Sequence, residues 1–183
     1  MKSDIACVIL CGGASSRMGR DKAMLPFRGF ETMLSYQIDK LSKIFATIYI
    51  STKNKHHKTP KTHIIYDKSD INSPLVALSS ICDYLSARDR EKFFCIPVDT
   101  PMIANDTISQ LLKQEPNCIA NDHYLVGLFN INIQIDIKSL LSQDIHQIRQ
   151  LHDHISTKKI LFEHDTQFAN INTTDQYDKL NRP

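Results

Sequence analysis

The sequence predicts an α/β domain with a mainly parallel sheet and helices on both faces. Short apolar runs rich in β-formers alternate with stretches of helical period along the chain. The opening run, Ile5-Ala6-Cys7-Val8-Ile9-Leu10, is apolar without alternation, as in a strand covered on both sides. A length of 183 residues, with 42% hydrophobic and 23% charged side chains, suits one domain over 1–183. A domain of that size buries roughly 70% of its unfolded surface and needs no disulfide or metal staple.

Each element follows from its pattern. Met33, Leu34, Ile38, Leu41 and Ile44 share one face of a helix. Ala46 to Ile50 and Thr62 to Tyr66 read as strands, and Leu75, Leu78, Ile81, Cys82 and Leu85 as a second helical stripe. Phe93 to Ile96 is a buried strand stopped by Pro97. Asn105-Asp106 is expected to cap a helix carrying Ile108, Leu111 and Leu112. Beyond it, Cys118 to Ala120 and Leu125 to Ile131 suit strands, and Ile137 to Leu141 and Ile145 to Ile155 suit helices. Lys159 to Phe162 and Phe168 to Ile171 read as extended, and Thr173-Thr174-Asp175-Gln176 as a capping box opening a terminal helix.

Charge and cysteine usage exclude several classes. Lys and Arg number 22 and Asp and Glu 20, a net charge of +2, so there is no global attraction to nucleic acid or an anionic membrane. No apolar run approaches the ~20 residues of a membrane span, and the N-terminal run makes a poor signal peptide. The five cysteines form no CxxC pair, and four lie in apolar runs, so they read as reduced thiols of a cytoplasmic protein. Residues 53–63, with four lysines and three histidines around Pro60, read as a solvated loop. His146, His152 and His154 read as decoration of a helix and its exit rather than a metal site.

The glycines locate the chemistry. The chain has five, and Gly12, Gly13 and Gly19 fall within eight residues just after the first strand. Glycine allows a backbone to approach a ligand closely, and successive N–H groups in such a loop form an anion nest. Ligands of open α/β sheets bind at strand ends. Arg17, Arg20, Lys22 and Arg28 set four cations against Asp21, and fixed cations with backbone donors suit a polyphosphate. The loop is not a Walker A motif: five residues separate Gly13 from Gly19, and Arg-Asp-Lys-Ala follows. A metal ligand must therefore come from elsewhere. Asp99, just past a buried strand and between Pro97 and Pro101, is one oxygen donor, and Asn172 is a second; both suit Mg²⁺.

The segment from Leu10 to Lys22, LCGGASSRMGRDK, resembles the LAGGxSxRMGxDK signature of the molybdenum cofactor guanylyltransferases. Further matches follow in order: Tyr66-Asp67, Ser73-Pro74-Leu75 in place of Gly-Pro-Leu, Asp99-Thr100-Pro101, and Asn170-Ile171-Asn172-Thr173. The resemblance implies a Rossmann-like, glycosyltransferase-A-like fold of the nucleotide-diphospho-sugar transferase type. It implies transfer of GMP from GTP to the terminal phosphate of molybdopterin, with release of pyrophosphate. It assigns Leu10, Cys11, Gly12, Gly13, Lys22, Asp67 and Asp99 to the nucleotide, Arg17, Lys22 and Asp99 to catalysis, and Asp99 with Asn172 to Mg²⁺. It also implies transient contacts with cofactor-assembly proteins and target apo-enzymes. Gly12-Gly13 favours guanylyl over cytidylyl transfer, because the cytidylyl relative carries Ala-Ala-Gly there. Cys11, Ser73 and Val76-Ala77 depart from the family pattern, and 122–130 matches its pterin region poorly. Two alternatives remain at this point: the same chemistry with another nucleotide or phosphorylated acceptor, and a nucleotide-binding regulatory protein without catalysis.

Overall fold

The computed structural model describes residues 1–12, 21–54, 57, 63–69, 71–163 and 165–181. Seven strands, β1 (Ala6–Leu10), β2 (Ile48–Thr52), β3 (His63–Tyr66), β4 (Lys92–Pro97), β5 (Cys118–Ala120), β6 (His123–Asn130) and β7 (Lys158–Ile160), form one sheet in the order β3-β2-β1-β4-β6-β5-β7. Pairing is parallel throughout except at β6, which is antiparallel to both β4 and β5. Helices are α1 (Met33–Ser42), α2 (Pro74–Ser86), α3 (Asn105–Leu111), α4 (Ile133–Ser142), α5 (Ile148–His154) and α6 (Thr174–Asn181).

The two-sided burial read from the first strand is borne out atom by atom. Cys7 and Ile9 of β1 pack into one apolar layer, with Met33, Leu34 and Leu41 of α1, Ile108 and Leu111 of α3, and Tyr177 and Leu180 of α6. Ala6, Val8 and Leu10 point the other way, into a layer with Leu75, Leu78 and Ile81 of α2, Ile137 of α4 and Leu151 of α5. A period of two along the strand, with both phases apolar, sorts the helices onto opposite faces.

Chain direction across the sheet places the functional end. From β1 the chain steps to β2 and β3 on one side, then returns to β4 on the other. The reversal lies between β1 and β4, and the crevice beyond their carboxyl ends is where open α/β sheets take ligands.

Three local expectations are corrected. Phe168 to Ile171 is not a strand: Phe168 closes a short 3₁₀ turn (Asp165–Phe168), and no ladder continues from it. Packing decides this, because Phe168 and Ile171 are both fully buried under the sheet. α3 is not capped by Asn105-Asp106; its N-cap is Ala104, whose N–H donates to Gln167 Oε1 at 2.9 Å. β4 ends at Pro97, as expected, with the proline as its last residue. His152 does not decorate a surface; it is 5% exposed, with Nε2 donating to Tyr124 O at 2.9 Å and Nδ1 at 2.9 Å from Thr157 Oγ1. No helix among the described residues is long and apolar enough to cross a membrane.

Candidate active site

A cleft of about 460 Å³ opens at the carboxyl ends of β1 and β4. Its walls hold Leu10, Cys11, Gly12, Lys22, Asp67, Asp99 and Asn172, so candidate residues scattered over 163 positions of sequence meet in one crevice. Gly13 and Arg17, the other two candidates, lie outside the described residues.

Lys22 opens a one-turn 3₁₀ helix (Lys22–Met24) capped by Asp21, whose Oδ1 accepts the Ala23 N–H at 3.1 Å. From there the lysine spans the cleft floor. Its Nζ donates to Asn172 Oδ1 at 2.6 Å and lies 3.4 Å from Asp99 Oδ2. Burial pushes the Asp99 carboxyl above the ordinary carboxylate range, and the Lys22 ammonium and its hydrogen bond pull it back down. The pair sits in a partly buried site, where electrostatic interactions are screened less than in water.

The Asp99 turn is fastened from below by α1. Gln37, fully buried, donates from Nε2 to the carbonyls of Pro97 (3.1 Å) and Val98 (3.3 Å). Lys40 Nζ donates to Pro101 O at 2.8 Å and also to Ile103 O. Burial lowers the Lys40 ammonium to a pKa of about 8. α1 itself begins with a reciprocal Thr32–Ser35 capping box, which sets the register of both side chains. On the other side of the turn, Asp99 O accepts the Ile171 N–H at 2.8 Å, so the chain segment carrying Asn172 is fixed to the turn carrying Asp99.

Asn172 is aimed by the terminal helix. Gln176 Oε1 accepts both the Asn172 N–H (2.7 Å) and the Thr173 N–H (3.0 Å), while Thr173 Oγ1 accepts the Gln176 N–H at 3.3 Å. The capping box read from the sequence thus exists, and it leaves the Asn172 amide free of capping duty and pointed at Lys22.

Across the cleft, Asp67 follows β3. Its Oδ1 accepts from Ser51 Oγ at 3.3 Å, and its Oδ2 would lie 3.9 Å from a Cβ placed on Gly12. Burial raises this carboxyl too, opposed by the Ser51 hydroxyl and the Lys53 ammonium. Cys11 lines the same wall. Burial, with Asp21 and Asp99 adding to it, holds its thiol well above the usual range, so it is a neutral side chain and not a nucleophile. Ser73, which replaces the family glycine, has a structural role: its Oγ accepts the Leu75 N–H at 3.2 Å as the N-cap of α2, ahead of Pro74.

The expectation of a solvated loop over 53–63 is corrected at both residues that bear on the site. Lys53 lines the cleft and donates to Ile71 O (2.7 Å) and Asn72 Oδ1 (3.1 Å). His57 is 2% exposed. Asn72 and Leu125 also line the cleft and were not singled out as site residues from the sequence, and Asn170, quoted there only as part of a family match, lines it too. Lys53 had one available signal, its place directly after the apolar run of β2 at the edge of the sheet that binds ligands.

Among the described residues no three His, Cys, Asp or Glu side chains group as a metal site. What converges is one carboxylate and one amide oxygen facing a cation. Such hard oxygen donors suit an ion of the Mg²⁺ class that takes its remaining ligands from phosphate and water.

Comparison with known proteins agrees with this geometry. The model of the MobA-like NTP transferase domain matches residues 7–126. The molybdenum cofactor guanylyltransferase of Campylobacter jejuni (strain RM1221) is 32% identical over 190 residues, covering 97% of this chain and 96% of that protein. The enzyme of the same name from Helicobacter pylori (strain 26695) is 28% identical, covering 96% and 90%. The crystal structure of molybdopterin-guanine dinucleotide biosynthesis protein A from Archaeoglobus fulgidus superposes with a TM-score of 0.76 at 14% identity, covering 97% of each chain. With the cleft at the sheet reversal and a likeness that runs nearly end to end, the chain belongs to the MobA-like NTP transferase family and is a nucleotidyltransferase.

Proposed function

We propose that this nucleotidyltransferase joins GMP from GTP to the terminal phosphate of molybdopterin and releases pyrophosphate. The observation that carries the reading is the Lys22 ammonium set between Asp99 and Asn172 at the mouth of β1 and β4. A phosphate oxygen of the acceptor attacks the α-phosphorus, a new P–O bond forms, and the bond to the β-phosphate oxygen breaks with its electrons leaving on pyrophosphate. The attacking phosphate is already ionised, so no general base is required. Catalysis then reduces to positioning and charge neutralisation.

Lys22 supplies positive charge to the phosphoryl oxygens in a site with little water to screen it. Arg17 and the amides of Gly12 and Gly13 bind the remaining phosphates. Asp67, accepting from Ser51, offers its carboxylate to the base or ribose at the Leu10–Gly12 wall. Asp99 and Asn172 would hold a Mg²⁺ ion, which neutralises phosphate charge when bound. The free thiols accord with a cytoplasmic enzyme, and the family resemblance carries the expectation of brief contacts with cofactor-assembly proteins and target apo-enzymes.

The test is pyrophosphate release with molybdopterin and each nucleotide in turn. GTP is expected to be used far better than CTP or ATP. Lys22→Ala and Asp99→Asn are each expected to lower turnover by about 10²–10³-fold while circular dichroism stays native. Full activity in both variants, or a strong preference for CTP, would contradict the assignment.

A further inference from the structure

A buried histidine stands behind the turn that carries Lys22. Between β2 and β3, the His57 ring is driven inward, to 2% exposure. Its bonds run toward the active site and not into the apolar layers. Nε2 lies 2.6 Å from Asp21 Oδ2, and against a carboxylate that nitrogen carries the proton and donates. Nδ1 lies 2.7 Å from the hydroxyl of Thr52, the fully buried last residue of β2. Asn54 completes the arrangement. Its Nδ2 donates to the same Asp21 oxygen at 2.8 Å, and its backbone N–H donates to Thr52 Oγ1 at 2.9 Å.

Asp21 is thus held on both oxygens. Oδ2 receives His57 and Asn54, and Oδ1 receives the Ala23 N–H, which begins the turn whose first residue is Lys22. The end of β2 is thereby tied, through one ring and one carboxylate, to the backbone from which the catalytic ammonium extends. A core histidine satisfied for its own sake would need no partner next to Lys22. Errors of about 1 Å in aim can lower a transfer rate by about 10²-fold, so the fixing of this turn bears on rate.

We propose that His57 is a positioning residue for nucleotidyl transfer: together with Asn54 it locks Asp21, and through Asp21 it aims Lys22 into the cleft. The inference rests on the role given to Lys22 above. His57 touches no substrate; it acts by fixing where the lysine starts.

The test is a double-mutant cycle on guanylyl transfer under single-turnover conditions. His57→Phe keeps a ring in the pocket and removes both nitrogens; His57→Gln returns an N–H donor toward Asp21. His57→Phe is expected to lower turnover by about 10- to 100-fold with little change in the KM for GTP. His57→Gln is expected to recover most of that loss. In a Lys22→Ala background the same His57→Phe change is expected to cause no further loss, because residues acting through one group are not additive. Equal factors in both backgrounds, or full turnover in folded His57→Phe, overturn the proposal. If His57→Phe does not fold, Asp21→Asn, which leaves the ring in place, carries the same comparison with the same two outcomes. Full activity in Lys22→Ala alone would instead remove the assignment of Lys22 itself, and this result is read separately from the cycle.

Discussion

At the scale of single residues, buried titratable side chains include some that face the cleft and one that serves the core. Asp67 and Asp99 are both raised by burial, yet each keeps a partner suited to its charged form, Ser51 and Lys53 for the first and Lys22 for the second. His152 lies outside the cleft. Stacked on Tyr124 at 5.1 Å and bonded at both nitrogens, it is held neutral, with burial lowering its pKa to about 4. The unfolded chain takes up a proton at this residue below about pH 6.5, the folded chain only below about 4. Its contribution to stability is present in full above pH 6.5 and is lost as pH falls toward 4. Between pH 7 and 5 this amounts to about 2 kcal/mol. Urea unfolding at the two pH values should show that loss in the native protein and a smaller one in His152→Gln; identical losses would exclude His152 as the source.

At the scale of elements, close approach between strands accounts for one glycine. Gly127 lies in β6 opposite β5, where the register shifts between Ile119 and Ala120. A Cβ at Gly127 would stand 2.1 Å from Cys118 O and 3.0 Å from Ile119 Cγ2. Backbone oxygen cannot withdraw without breaking the ladder, so Gly127→Ala is expected to destabilise by about 1–3 kcal/mol. Calorimetry should show this as a fall in melting temperature of roughly 2–4 °C per kcal/mol. An unchanged melting temperature would mean that the hairpin yields. From sequence this glycine was only a residue inside an apolar run. The need for Gly127 arises from a neighbour nine positions earlier in the chain, on another strand.

α1 shows the converse. Its apolar stripe and its place after the signature segment were legible, since both are local. That Gln37, within the buried stripe, and Lys40 beside it grip the Asp99 turn was not, because the contact joins residues about sixty positions apart. The same separation explains the misread stretch from Phe168 to Ile171. Its residue types suit a strand, but burial of Phe168 and Ile171, and the bond from Ile171 to Asp99, outweigh that local preference.

At the scale of the whole molecule, the cleft is a product of chain order in the sheet. The end of β1 and the residues just after it supply Leu10 to Gly12, the segment after β4 supplies Asp99, and the segment before α6 supplies Asn172. A ligand seated there touches all of them and none of them in the unfolded chain, so binding must raise stability by mass action. At about 100 times its dissociation constant GTP should add about 2.7 kcal/mol. Thermal denaturation with GTP and Mg²⁺ should then shift upward by roughly 5–10 °C, and the shift should shrink in Lys22→Ala. A larger shift with CTP would point to a different base.

The amino-acid order alone determined the alternation of strand and helix, the double-sided burial of β1, and the family resemblance carried by the segment from Leu10 to Lys22. Each of these is written in neighbouring residues, through period, glycine spacing and local charge. Only the tertiary structure decided that Lys22 spans Asp99 and Asn172, that Asp67 faces Gly12, and that His57 turns inward to hold Asp21. Those contacts join segments tens of residues apart, and which segments meet is set by the order in which strands pack into the sheet, a property of the folded chain and not of any stretch of it.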